Sequence, residues 1–372
     1  MHSKPISRRD FLKFAGAAGL GSLAFRPLDR VLGLPTFPAS QRLGRFSGFF
    51  GNTEIRAQPH EQGAVVKKIY EDYIMEWNRE VIGTPIGYVS NSRTWIETPE
   101  GYVYAPFVQP VKNLPNEPLQ AIPEGLLGFW AEVTVPYVDF VLENPAPVSP
   151  WLQYNLANGY PLRLYYSQIL WVDQIRVSET SGQIIYRLSE PYSGYDVFWA
   201  EAAAFRPVTE EDIAPIYPEV DPATKKVLVN LTDQTLSCYE GNTEVHFCRI
   251  SSGGKWDFAG NSVDSWSTPI GEHWTWRKAI SIHMAGGTVS SGSWDTPAIT
   301  WSTIFTDKGV AIHSTFWHND YGTPRSHGCV NASPEDAKWV FRWSLPSVAT
   351  YPGDVTIQGD SGTHIVVSER LF

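Results

Sequence analysis

The thiol of Cys329 and the imidazole of His313 are the side chains here whose types and spacing suit nucleophilic chemistry. Cys329 stands in Ser326-His327-Gly328-Cys329-Val330-Asn331, and His313 a short gap upstream in Ile312-His313-Ser314-Thr315. Cys329 lies between polar, glycine-tolerant stretches, whereas structural free cysteines are usually buried in apolar surroundings. A thiol attacks as the thiolate, and a nearby histidine is the usual means of making one at neutral pH. Gly328 allows a tight backbone approach. The consecutive N–H groups of Gly328 and Cys329 could then face a developing oxyanion. His327 reads either as a backbone donor that shapes a pocket or as a loop anchor. His318 reads as a wall or hydrogen-bonding residue. No Cys, His and acid cluster has metal-ligand spacing, so no cofactor is expected.

The whole run Ala311-Ile312-His313-Ser314-Thr315-Phe316-Trp317-His318-Asn319-Asp320-Tyr321-Gly322, continued through Thr323-Pro324-Arg325 into Ser326-His327-Gly328-Cys329-Val330-Asn331, resembles the active-site signature of L,D-transpeptidases of the YkuD family. That family often has glycine after the first histidine; Ser314 stands there in this chain. The opening at Lys225 and the segment Ser267-Thr268-Pro269-Ile270-Gly271 resemble the family too. The likeness covers residues 224–358. It implies a mostly β sandwich with the active site at one end.

It further implies Cys329 as nucleophile and His313 as general base and later acid, with Ser314 orienting His313 through hydroxyl or backbone. Ser326, His327, Gly328 and Asn331 become candidate substrate-binding residues, with Trp317 and Tyr321 lining the cleft. Arg325 either neutralises a stem-peptide carboxylate or is a solvated loop charge. Part of Lys255–Pro297 is expected as a flap, with Trp294 a candidate within it. The implied substrate is the peptidoglycan stem peptide. The thiolate attacks the carbonyl of its L-centred third residue and releases D-alanine. An amine of a second stem then gives a 3→3 crosslink. Water as acceptor would make an L,D-carboxypeptidase, and a non-catalytic wall-binding protein is the alternative outside the enzyme class.

These residues need elements to hold them. Ser333-Pro334-Glu335-Asp336 predicts a helix start just beyond Cys329, with serine as cap, proline in the first turn and acids at the positive end. The helix should reach Trp343, stop before Pro346 and brace the catalytic loop. Val227–Leu231, Thr235–Tyr239 and Val245–Ser251 read as strands. Upstream, residues 45–112 and 126–208 read as two small SH3-like β-barrel modules, so the chain as a whole is predicted mainly β. Their endings share an aromatic, alanine and Phe-x-Pro-Val pattern, which suggests a diverged repeat. Residues 209–223 are acidic and proline-bearing, and read as a semi-rigid linker. Residues 359–372 are left as a C-terminal tail. The modules hold no cysteine, so they are expected to bind the wall or place the catalytic domain. A fragment starting near residue 220 would then keep its thiol chemistry.

The chain has 372 residues, 13% aromatic and 18% charged, enough for several domains with substantial cores. A net charge of −10 argues against general nucleic-acid binding. Three cysteines are too few for a disulfide framework. Cys238 and Cys248 flank a predicted hairpin turn and either pair or stay as buried thiols. Within residues 1–44, Ser7-Arg8-Arg9-Asp10-Phe11-Leu12-Lys13 precedes a mildly apolar Gly/Ala stretch, which reads as a twin-arginine export signal and linker. Uncleaved, the signal could anchor the chain in the membrane, with the bulk outside it. Replacing Arg8 and Arg9 by Lys should hold the protein in the cytoplasm. Cell fractionation tests this, and unchanged export would point to another route.

Overall fold

The computed structural model describes residues 33–370 apart from 49–50, 88–89, 191–195, 257–260 and 287–293. The twin-arginine stretch lies outside the described residues. Among those described, the chain is mainly β, and no helix is long and apolar enough to cross a membrane.

The first β region holds two sheets. One has the order Ile74–Glu76, Leu43–Phe46, Val108–Val111; the other runs Val65–Tyr70, Asn52–Arg56, Gly101–Tyr104, Thr94–Thr98, Arg79–Ile82. Its first strand starts at Leu43, two residues ahead of the expected boundary. The second region is one seven-stranded sheet, in the order Arg163–Tyr165, Tyr137–Leu142, Val197–Glu201, Ile184–Ser189, Ile169–Val177, Phe129–Val133, Phe205–Pro207. It also carries an unexpected helix, Pro150–Asn158, ended by Gly159 at a φ of 70°. Both regions close alike. Gly101–Tyr104 and Val197–Glu201 each run into a three-residue 3-10 turn, Ala105–Phe107 and Ala202–Ala204, and then into a short final strand.

Two five-stranded sheets form the C-terminal domain. One runs Thr243–Arg249, Thr235–Glu240, Lys225–Asn230, His364–Ser368, Gly271–Trp274; the other runs Val330–Ala332, Ala311–Ser314, Trp294–Ile304, Arg277–Gly286, Asp354–Thr356. The predicted tail is therefore corrected: His364–Ser368 is an inner strand, parallel to Lys225–Asn230 and antiparallel to Gly271–Trp274. Its alternation explains this, since Ile365 and Val367 bury in the main core beside Val227 and Val229. Cys238 and Cys248 are separate buried thiols in the same core.

The expected linker is corrected too. Thr209 and Asp212 form a capping box on the short helix Glu210–Ile213, and Ile213 is buried in the core. Asp212 pairs with Arg206 at 2.7 Å and Lys338 at 2.6 Å, which fastens the segment to the Pro334–Trp343 helix. That helix has its predicted limits. Ser333 Oγ accepts from the Asp336 N–H at 3.1 Å, and at the other end Lys225 and Lys278 donate to the carbonyls of Trp343 and Ser344.

A chain ending at residue 358 should not fold its catalytic domain. It loses an inner strand and the burial of Ile365 and Val367, worth roughly 1.5–3 kcal/mol each before the lost ladder bonds. Near-UV circular dichroism and soluble yield are the measurements; a soluble, native-like truncated chain would contradict the placement of that strand.

Candidate active site

His313 sits on the Ala311–Ser314 strand, and the residue after Cys329 opens the Val330–Ala332 strand. The two strands pair in parallel, with Ile312 opposite Val330 and His313 opposite Asn331. The motif's two halves are thus neighbours in one sheet. His313 is 2% exposed. Its Nδ1–H donates to the Ser314 carbonyl at 2.8 Å, which leaves Nε2 as the basic atom. Ser314 therefore acts through its backbone, while its hydroxyl bonds Thr300 Oγ1. The Trp317 ring lies 6.0 Å from the His313 ring, and Trp317 and Cys329 pack against one apolar cluster, Met284, Ile299, Ile304 and Ala311. Trp317 is thus a wall common to His313 and Cys329.

That cluster corrects the expectation of polar surroundings for the thiol. Its neighbours in sequence are polar, but on one side the partly exposed thiol packs on apolar side chains. Burial pushes the Cys329 thiol up to about 11, against a backbone hydrogen bond with Ala311 that favours the thiolate. Burial also pulls His313 down to about 4, opposed by its bond to Ser314. Both shifts favour the uncharged forms of the two side chains at neutral pH.

The Ser-His-Gly-Cys turn is tied internally. Ser326 Oγ donates to the Cys329 carbonyl and accepts from the Gly328 N–H at 3.1 Å. The Gly328 N–H is therefore occupied in this state, which corrects the expected pair of consecutive oxyanion donors at that residue. Gly328 has a φ of 125°, a conformation that suits glycine. Thr268 clamps the turn from the Ser267–Gly271 segment: its hydroxyl donates to the Gly328 carbonyl at 2.8 Å and accepts from the Gly253 N–H at 2.9 Å. His327 lies edge-on to Trp266, with ring centres 4.3 Å apart.

The other candidates brace the loop. Asn331 is 1% exposed and places its amide 3.0 Å from His318 Nε2, so it is enclosed and not displayed in a cleft. His318 Nδ1 accepts from the Asp320 N–H. The Tyr321 hydroxyl contacts Thr315 Oγ1 and donates to the Ala332 carbonyl at 3.2 Å. Arg325 is partly buried and already paired: its Nε donates to the buried Asp320 at 2.6 Å. Trp294 opens the second strand of a long hairpin opposite Gly286, and the hairpin's tip lies outside the described residues. A cleft of about 460 Å³ lined by Trp274, Trp276, Phe305 and Lys308 includes neither Cys329 nor His313. One of its lining residues, Trp276, packs on the Cys329 cluster.

Sequence reasoning missed Thr300, Trp266, Asp320 and the clamp formed by Thr268. Thr268 alone carried a signal, through its Ser-Thr-Pro-Ile-Gly segment. It also missed that His246, Cys248 and Asp336 gather three ligand-type atoms within 4.8 Å of one another. They belong to packing: His246 stacks on Trp339 and pairs with Asp336, whose carboxylate accepts from the Ser333 hydroxyl.

Residues 224–367 match the family described as L,D-transpeptidase catalytic domain, and residues 5–24 match the TAT (twin-arginine translocation) pathway signal sequence. No curated protein matches the chain. Among solved structures it is similar to an Enterococcus faecium L,D-transpeptidase, at 21% identity over 39% of this chain and 50% of that one, with a TM-score of 0.29. It is similar to the catalytic domain of the E. faecium enzyme acylated by ertapenem, at 21% identity over 39% and 97%, TM-score 0.28. A third is an L,D-transpeptidase from Mycobacterium smegmatis, at 14% identity over 54% and 99%, TM-score 0.31. The chain thus spans about half the length of the first of these.

With His313 at about 4 and Cys329 at about 11, base catalysis should persist from about pH 5 to 9 and fail as pH falls through about 4, where His313 takes a proton. Alkylation of Cys329 by iodoacetamide, which needs only thiolate, should be slow at pH 7 and rise about tenfold per pH unit toward 11. An alkylation rate that levels off below pH 8 would show a resting thiolate and contradict the neutral pair.

Proposed function

Residues 224–367 are a catalytic domain of the L,D-transpeptidase family and residues 5–24 a twin-arginine export signal, and from this premise we propose that the exported chain crosslinks peptidoglycan stem peptides. The observation that carries the reading is the fixed tautomer of His313, with Nδ1 bound to Ser314 and the ring sharing the Trp317 wall with Cys329. Nε2 takes the thiol proton as sulfur adds to the carbonyl of the third stem residue. The tetrahedral intermediate collapses, His313 returns the proton to the leaving nitrogen, and D-alanine departs from a thioester. An amine of a second stem attacks the thioester, passes its proton to His313 and frees Cys329 as a 3→3 amide forms. The two N-terminal regions are SH3-like modules in this reading, supported by their small strands and their shared strand, 3-10 turn and strand ending. Whether the signal is cleaved or stays as an anchor does not alter the chemistry.

Mass analysis of tetrapeptide muropeptides with the full chain tests this. A crosslinked dimer with loss of D-alanine is expected; tripeptide alone would make the protein a carboxypeptidase. Cys329→Ala should lower D-alanine release at least about a thousandfold while circular dichroism is unchanged. Cys238→Ala should keep release. Ertapenem should leave one adduct on the wild type and none on Cys329→Ala; an adduct on that variant would remove Cys329 from the nucleophile's role.

A further inference from the structure

Residues 315–329 join two parallel strands without a helix of their own, and much of what holds them comes from the N-terminal regions. The central contact is Arg45, on the Leu43–Phe46 strand and 2% exposed. Its Nε donates to Gln109 Oε1 at 3.0 Å and its Nη1 to Asp72 Oδ1 at 2.8 Å, both within the first region. Its Nη2 donates to the carbonyl of Phe316 at 2.5 Å, 271 residues away in the chain. The guanidinium also lies over the Tyr165 ring, 4.0 Å from its centre. Tyr165, from the second region, stacks on the Phe316 ring at 5.7 Å and 18°. Phe316 is thus held by its carbonyl from one region and by its ring from the other. Asp72 keeps a φ of 64°, strained for a residue with a side chain, while its carboxylate serves both Arg45 and Arg163. The later half of the loop has a second hold. The Ser90 hydroxyl donates to Asp320, Asn91 Nδ2 to the Gly322 carbonyl at 3.1 Å, and the Asn319 N–H to the Pro106 carbonyl at 3.0 Å.

Phe316 lies two residues after Ser314, whose carbonyl sets the His313 tautomer, and immediately before Trp317, the wall shared with Cys329. We propose that Arg45 is a positioning residue for the His313–Cys329 pair: by fixing the Phe316 carbonyl it holds Trp317 against both, and makes the first region part of the active centre. This rests on the transpeptidase reading for what the pair does. It replaces the expectation that a fragment starting near residue 220 keeps full thiol chemistry, since such a fragment lacks Arg45, Tyr165, Ser90 and Asn91.

The test uses the full chain. Arg45→Lys keeps the positive charge beside Asp72 but loses the fork that reaches three acceptors. Arg163→Lys disturbs the same junction, at Asp72 and Asp139, without touching Phe316. Acylation by ertapenem should slow about 10- to 100-fold in Arg45→Lys, as small misplacements of reacting groups do, and stay within about twofold in Arg163→Lys. Tm should fall by some degrees in both, since each leaves a buried acceptor short of a donor, while iodoacetamide alkylation should stay near wild type in both, because it needs no aligned base. Amide exchange at residues 316–318 should quicken only in Arg45→Lys. Unchanged acylation in Arg45→Lys, or an equal loss in Arg163→Lys, overturns the proposal. Should the lysine variant not fold, Tyr165→Leu removes the other hold on Phe316; it should slow acylation several-fold, and an unchanged rate there also overturns it. Failure of the wild type to release D-alanine from tetrapeptides would defeat the proposed function and leave the acylation and exchange comparisons standing.

Discussion

The parallel pairing of Ala311–Ser314 with Val330–Ala332 is the constraint on which the rest depends. Parallel neighbours cannot be joined by a tight turn, so a crossover of a dozen or more residues is unavoidable, and it is usually a helix that satisfies its own backbone. Here the crossover is irregular, and its polar groups need partners elsewhere. They find them at Arg45, Asn91, Pro106 and Ser252. The benefit is positional. An irregular crossover can place His313 at one end, Cys329 at the other and Trp317 between them, which a regular helix would not do.

Burial sets the electrostatics of that pair. A thiolate would be costly beside Met284, Ile299 and Ile304, and an imidazolium costly at the buried His313, so the neutral form is favoured on each side. The protein then need not stabilise a charged pair at rest. In the proposed reaction it must instead supply geometry, so that proton transfer and sulfur attack occur together on a bound acyl donor. This makes the fixed tautomer of His313 more important than its pKa, and gives small displacements of Phe316 or Trp317 a large effect on rate.

What was legible in the sequence was local. The cap at Ser333 and the strands around residues 227 and 236 follow from side chains within one turn or one strand. The candidate nucleophile and base were proposed from one compact motif. What was not legible was long-range. Nothing near Arg45 or Ser90 marks them as partners of a loop over 200 residues downstream. His364–Ser368 is a short strand whose Ile365 and Val367 alternate too briefly to stand out before its neighbours are known. The acidic stretch after Val208 reads as a linker because its partners, Lys338 and Arg342, lie on a distant helix. The polarity around Cys329 misled for the same reason: sequence neighbours are not spatial neighbours at the mouth of a sheet.

The contacts between the regions also have a common character. Arg45 with Asp72 is one buried charged junction, and His283, with Nδ1 2.9 Å from Glu190 and Nε2 on Asp295, is another. The second ties the hairpin of Arg277–Gly286 and Trp294–Ile304, near its Gly286–Trp294 end, to the second region, and its carboxylates raise the imidazole to about 9 against the opposing effect of burial, so it stays protonated at neutral pH. Buried ion pairs add little net stability over apolar packing of the same volume, because desolvation offsets much of their attraction. Their directional bonds do penalise any other docking geometry. Apolar surfaces alone would let the regions slide by a residue or two at small cost. Charged groups that each need a particular acceptor do not permit it, and the catalytic loop and the hairpin beside it inherit that fixed geometry.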